Sequence, residues 1–119
     1  MIGQLIAVLF LSRDLAHREH LRTTIYAAHI ALGEFYDEII GLADSLAEAY
    51  QGRHGKPLDI PLIGSESKES IADILQEQLD VVEQMRYEAI DKADTALQNI
   101  VDEIVGQYLS TLYKLRRFK

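Results

Sequence analysis

The sequence contains no cysteine and no tryptophan, and only two of its 119 residues are proline. The lack of cysteine excludes disulfides, thiolate metal sites and cysteine-based catalysis. Both prolines, Pro57 and Pro61, lie in one short segment, so long helices can run uninterrupted on either side of it. The sequence also lacks a nucleophile triad motif, a phosphate-binding glycine loop and a cysteine pattern for zinc.

Long hydrophobic runs are scarce as well. The apolar start, Met1 to Leu11, has no basic leader or obvious cleavage site, and it is far shorter than the ~20 residues that span a bilayer. We therefore expect a buried helix in a cytoplasmic protein. The net charge of −7 argues against a nucleic-acid-binding surface spread over the whole domain, and it suits a protein that attracts cations.

What the sequence does contain is apolar periodicity of the helical kind, which predicts four helices and no strands. Helix A should run from about residue 2 to about residue 21, and helix B from a cap at Thr23 or Thr24 to about Gln51. The core stripe of helix B repeats at steps of three and four residues. It comprises Ile25, Ala28, Leu32, Phe35, Ile39, Leu42, Leu46 and Tyr50.

The second half of the chain follows the same pattern after one long connection, the glycine- and proline-rich segment from Gly52 to Gly64. Ser65 or Ser67 should open helix C, and Asp91 or Asp94 should cap helix D. Two hairpins joined in this way predict a single all-α domain over residues 1–119, a ferritin-like four-helix bundle with one long B–C crossover.

Four potential metal ligands stand out in the first half. His17, His29, Asp44 and Glu48 follow one another at intervals of twelve, fifteen and four residues. Together they offer two imidazoles and two carboxylates, a donor set that suits iron. His29 and Asp44, on one continuous helix, would be separated by roughly 22 Å at 1.5 Å per residue. The two residues therefore cannot bind the same ion within one chain.

A second copy of helix B running antiparallel to the first would bring the four ligands together. His17 and His29 of one subunit would then lie beside Asp44 and Glu48 of the other, giving two identical sites. The helical wheel supports this arrangement, because the helix B ligands lie within an arc of about 100° away from the core stripe. Gly33 and Gly41 flank position 37 near the midpoint, where small residues would let two helices approach closely.

The ligand spacing resembles that of the Dps-type mini-ferritins, in the segment His17-x11-His29-x14-Asp44-Ser-Leu-Ala-Glu48 followed by Gly52. It is also similar to small phage-encoded ferritin-like proteins. The resemblance implies a dinuclear iron centre between two subunits, a homodimer or dodecamer, and ferroxidase activity that uses peroxide or O2 for iron detoxification or storage. It further implies that His17 and Glu48 are the main ligands, that Asp44 bridges or serves the second ion, and that His29 completes the set.

The sequence departs from that family at three places. Arg18 replaces the usual tryptophan, and Gly33 stands where a further acidic group is common, so Asp37 becomes a candidate substitute ligand. The B–C connection is too short for the extra helix that the family places at the dimer surface, which argues against a closed cage and iron storage.

Other residues leave alternatives open. His20, one turn after His17, is a candidate additional ligand, although a lone His-x-x-His pair is more often a polar neighbour. The C-terminal basic cluster, Lys114, Arg116, Arg117 and Lys119, could contact DNA as tails of some mini-ferritins do, or could complement the helix dipole. The alternative function is a non-catalytic dimeric helical scaffold or interaction protein with a vestigial or structural metal site.

Overall fold

Residues 1–119 are described by a computed structural model, which contains four α-helices and no strands. The helices are α1 Ile2–Arg22, α2 Tyr26–His54, α3 Ile71–Ala89 and α4 Thr95–Arg117. The predicted all-α four-helix bundle with one long crossover is confirmed. None of the four helices combines the length and the apolar character needed to cross a membrane.

The crossover, residues 55–70, determines how the two hairpins combine. It passes so close to the start of α1 that a side chain at Gly3 would collide with the Asp59 carbonyl oxygen. It ends beside the last turn of α1, where Arg22 and Ser70 line the same surface depression. The crossover therefore runs the length of α1, and α3 begins level with the end of α1. In the resulting bundle α1 packs against α2 and α3, and α4 packs against the same two helices.

The core stripe predicted for α2 is largely correct. Leu32, Phe35, Ile39 and Leu46 are fully buried in one hydrophobic cluster with residues of the other three helices. Ile25 is 42% exposed, because it precedes the helix as its N-cap residue and does not face the bundle. Burying such branched and aromatic side chains contributes roughly 1.5–3 kcal/mol each, so this stripe holds α2 in the bundle.

The predicted cap of the second helix was wrong. Helix α2 begins at Tyr26 with no side-chain cap, and Thr23 instead ends α1. The Thr23 hydroxyl accepts a hydrogen bond from the Ile25 N–H at 3.2 Å, so it serves the three-residue connection and not the helix after it. Helix α2 also continues to His54, three residues beyond the predicted end, before Gly55 stops it at φ 71°.

The cap of the third helix was also misplaced. Ser70 caps α3, and its hydroxyl accepts from the Asp73 N–H at 3.2 Å. Ser65 and Ser67 lie earlier, in the crossover, where each hydroxyl accepts from the N–H two residues further on. Asp94 caps α4, one of the two residues predicted for that role, and accepts from the Leu97 N–H at 3.3 Å.

One chain of hydrogen bonds crosses the apolar core. The Tyr108 hydroxyl of α4 donates to Ser12 Oγ of α1 at 2.6 Å, and the Ser12 hydroxyl donates to Gln78 Oε1 of α3 at 2.6 Å. Tyr108 and Ser12 are completely buried. Burial disfavours a phenolate, so it raises the pKa of Tyr108 above its usual value.

Candidate metal site

Three histidines form a cluster at the end of the bundle where α1 turns into α2. His20 lies in contact with both of the others. Its ring centroid is 6.2 Å from that of His17 and 3.9 Å from that of His29, and the rings of His20 and His29 are stacked at an interplanar angle of 14°. Of the four sequence-predicted ligands, the structure thus brings His17 and His29 to the same end of the molecule, with His20 contacting each.

Hydrogen bonds fix the position of one proton on two of these rings. His20 Nδ1–H donates to the His29 carbonyl oxygen at 2.6 Å, and His29 Nδ1–H donates to the His20 carbonyl oxygen at 2.7 Å. A carbonyl oxygen only accepts, so Nδ1 must carry the proton in both rings. With a single proton on the ring, the lone pair is on Nε2, which is the arrangement that metal-binding histidines use.

Gly33 gives room for this packing within a single chain. A Cβ at position 33 would lie 3.0 Å from Cε1 and 3.2 Å from Nδ1 of His20, which is tighter than nine in ten contacts of real Cβ atoms, so the ring would have to shift by a few tenths of an ångström. The His20 imidazole therefore occupies the space that a side chain on residue 33 would fill. Gly41 differs, because a Cβ there would meet nothing within 4 Å in the isolated chain.

Tyr36 extends the cluster along α2. Its ring stacks on that of His17 with centroids 4.0 Å apart and an interplanar angle of 11°, and the Arg13 guanidinium lies 5.6 Å from the Tyr36 centroid. Arg13 Nε is the one buried side-chain nitrogen in the chain without a hydrogen-bond partner. The ring nitrogens of His17, His20 and His29 that make no hydrogen bond are therefore not completely buried.

The predicted carboxylate ligands lie elsewhere on α2. Asp44 and Glu48 are exposed, and neither makes a hydrogen bond or a salt bridge within the chain; the same is true of Asp37. Because α2 is one continuous helix, Asp44 is roughly 22 Å along the axis from His29. No group of three or more potential ligands in the single chain is placed to hold a metal ion.

Charge is distributed unevenly along the 45 Å length of the bundle. The end with the histidines also holds most of the basic residues, among them Arg18, Arg22, Lys114, Arg116, Arg117 and Lys119. The far end, which holds Asp44 and Glu48, is acidic. Its other carboxylates include Glu83, Glu88, Asp91, Asp94, Asp102 and Glu103. The histidine end also holds carboxylates, among them Asp14, Glu19, Glu34, Glu66, Glu69, Asp73 and Glu77, so it is nearly neutral, whereas the far end is strongly acidic.

The C-terminal basic residues are held by the bundle, because α4 continues to Arg117. Lys114 forms an ion pair with Glu34 of α2 at 2.9 Å, whereas Arg116 donates to Gln76 of α3 at 3.1 Å. The two basic side chains therefore reach different neighbouring helices, and contact of the C-terminal cluster with DNA stays a prediction.

One member of the cluster, Tyr36, was not predicted from the sequence, although it lies seven residues after His29 and so on the same face of the helix. His20 was predicted only as a candidate additional ligand, because the sequence does not show that the α1–α2 turn places it level with His29. The signal that could have identified the contact is the short connection, because residues equally distant from the turn between two antiparallel helices become neighbours.

Comparison with known proteins adds one relationship. Residues 20–115 match the profile of a family of unknown function (DUF5856). The matched region includes His20, His29, Asp44 and Glu48, and His17 precedes it. No curated protein and no solved structure matched the sequence. Since the match covers most of the chain, the protein belongs to this family of unknown function (DUF5856).

Proposed function

We propose that this protein binds and oxidises iron at two identical sites between two antiparallel copies of the chain. The observation that carries the proposal is the hydrogen bonding of His29, whose Nδ1–H is held by a backbone carbonyl and whose Nε2 has no hydrogen-bond partner in the chain. At the other end of the same helix, Asp44 and Glu48 have no partner in the chain. In an antiparallel pair, the imidazoles of each copy lie beside Asp44 and Glu48 of the other copy.

The donor set fits Fe(II) as a substrate. Carboxylate oxygens are hard donors and imidazole is a borderline one, and together they leave coordination positions open for an oxidant. Peroxide accepts two electrons, and two Fe(II) ions provide one each: two Fe(II), one H2O2 and two protons give two Fe(III) and two waters. Holding both Fe(II) ions at one site would complete the two-electron reduction and avoid release of hydroxyl radical.

The charge distribution favours the same pairing. In an antiparallel pair the nearly neutral, histidine-containing end of one copy lies against the acidic end of the other, whereas a parallel pair would bring two acidic ends together. Repulsion between the acidic ends therefore disfavours the parallel alignment. Because exposed charges are screened by salt, this preference should weaken as the ionic strength rises.

The first test measures iron oxidation directly. Protein loaded with Fe(II) without oxygen and then given peroxide should oxidise the iron faster than buffer does, and His17→Ala or Glu48→Ala should abolish the acceleration. His54→Ala is the matched control, because His54 is exposed and lies outside the cluster. Equal rates for the wild type and the His17 and Glu48 variants would overturn the proposal.

A mixing experiment tests whether each site uses two chains. His17→Ala protein and Glu48→Ala protein are inactive alone, but a mixed dimer contains one intact site and one site that lacks both ligands. Unfolding and refolding the two together in equal amounts should restore about a quarter of the wild-type sites, because half of the dimers are mixed and each has one of two sites. Failure to recover activity from demonstrated mixed dimers would contradict a shared site.

A dimeric scaffold or interaction protein is the second candidate, and one surface favours it. Large apolar side chains are exposed where the start of α2 meets the end of α4, around a groove of about 320 Å³ lined by Tyr26, Ile30, Glu34, Lys114 and Phe118. Exposed apolar patches of this kind commonly mark interaction sites. For this candidate, added metal should raise the melting temperature without any acceleration of Fe(II) oxidation.

A further inference from the structure

His17 and His20 are spaced so that both imidazoles can reach one ion. They lie three residues apart on α1, and their ring centroids are 6.2 Å apart at an interplanar angle of 55°. With a metal–nitrogen distance of about 2.1 Å, two imidazoles bound to one ion have centroids roughly 5–6.5 Å apart. The observed separation lies near the upper end of that range, so the two rings need to approach each other slightly to reach the tetrahedral angle that Zn²⁺ prefers.

The surroundings of His20 prepare it for ligation. Its Nδ1–H is bonded to the His29 carbonyl oxygen, which leaves the lone pair on Nε2. That nitrogen has no partner in the chain and is not completely buried. The His29 ring stacks against it at 3.9 Å, and glycine at position 33 provides the space it occupies. A histidine that served only as a polar neighbour would not need the bonded Nδ1–H, the stacked His29 ring and the glycine at position 33 together.

We propose that His20 is a metal ligand, so that His17 and His20 form a two-imidazole half-site for a borderline divalent cation such as Zn²⁺. The half-site belongs to one chain. Its completion by Asp44 and Glu48 of a second copy rests on the proposed function. A third imidazole in the donor set favours Zn²⁺ over the harder cations Mg²⁺ and Mn²⁺, so Zn²⁺ should compete with Fe(II) at this site.

The direct test follows the ring nitrogens of the full chain during a Zn²⁺ titration. Protein with ¹⁵N-labelled histidine, assigned through single histidine variants, should show His17 and His20 nitrogens shifting together as Zn²⁺ binds, while Nδ1 of His20 stays protonated. A titration in which His17 and His29 shift but His20 does not would overturn the proposal, as would a titration with no shift in the cluster.

A binding measurement with matched variants gives a second readout. His20→Ala should raise the Kd for Zn²⁺ by about tenfold or more, whereas His54→Ala should leave it unchanged. Gly33→Ala keeps every imidazole but displaces the His20 ring, so it should also weaken Zn²⁺ binding. Equal Kd values for the wild type and His20→Ala would refute the ligand role. The outcome is independent of the iron assay, since Zn²⁺ can bind through His20 in a protein that does not oxidise Fe(II).

Discussion

His20 and His29 each donate a ring Nδ1–H to the backbone carbonyl of the other, at 2.6 and 2.7 Å. These two hydrogen bonds join the last part of α1 to the first part of α2 across a connection of only three residues. Because the bonds use backbone acceptors, they restrain the imidazoles relative to the helices themselves. The imidazole half of the candidate site is therefore preorganised in a single chain, which reduces the entropy lost when a ligand binds.

We first predict different outcomes for two glycine-to-alanine substitutions. Gly106→Ala, on α4, meets nothing within 4 Å, so it should raise the free energy of unfolding by up to about 1 kcal/mol through helix propensity. Gly33→Ala gains the same propensity but displaces the His20 ring and its hydrogen bond, at a cost of about 1 kcal/mol. Urea unfolding should find Gly33→Ala the less stable of the two variants; equal stabilities would contradict the packing described here.

Gly41→Ala should affect the stability of the subunit and the stability of the dimer in opposite directions. In the isolated chain the added methyl group meets nothing, so the subunit should become slightly more stable. In the proposed antiparallel pair, residue 41 lies near the two-fold axis, where a methyl group would hold the helices apart. Sedimentation should therefore show a several-fold rise in the dimer dissociation constant, with Gly106→Ala as the unchanged control. An unaltered dimer would place the contact on another face.

The hydroxyl chain in the core predicts an order of stabilities. Tyr108→Phe removes a donor and leaves the Ser12 hydroxyl bonded to Gln78, so it should cost about 0.5–1.5 kcal/mol. Ser12→Ala leaves the buried Tyr108 hydroxyl without its partner, and this should cost about 1–3 kcal/mol. Urea unfolding at neutral pH measures both. A smaller effect for Ser12→Ala than for Tyr108→Phe would show that Tyr108 finds another acceptor.

Tyr108 also predicts the alkaline behaviour of the protein. Burial raises its pKa in the folded state, whereas the unfolded chain releases the proton near the usual value of about 10. The contribution of this group to stability is therefore complete below about pH 10 and is lost as the pH rises towards the folded-state pKa. Tyr108→Phe should flatten the fall in unfolding free energy above about pH 10, whereas Tyr113→Phe, which alters an exposed ring, should not.

Helical periodicity was sufficient to predict the fold, because the side chains that repeat every three to four residues, such as Phe35 and Leu46, are those that the bundle buries. Helix ends were harder to place. Ser65, Ser67 and Ser70 are equally capable of capping a helix, and the route of the crossover along α1 decides that the third one does so.

The sequence predicted the spacing of the candidate ligands but not the interaction between the histidines. The spacing of His17, His29, Asp44 and Glu48 could be read from the sequence, and so could the separation of the two halves along α2. The interaction of His20 with His29 could not, because the partner of each ring is a backbone carbonyl, and every residue has one. Only the pairing of the two helices specifies which carbonyl each ring meets.

The hydrogen-bond chain from Tyr108 through Ser12 to Gln78 has a consequence for the position of the histidines. An apolar core alone tolerates a helix that slides along its neighbours by one turn, about 5.4 Å, since one aliphatic side chain replaces another. Such a slip would leave the Tyr108 hydroxyl unpaired in the dry interior. These hydrogen bonds therefore set the register of α1 against α3 and α4. Since His17 follows Ser12 by little more than one turn, a contact in the core determines the height at which the imidazoles are presented on the surface.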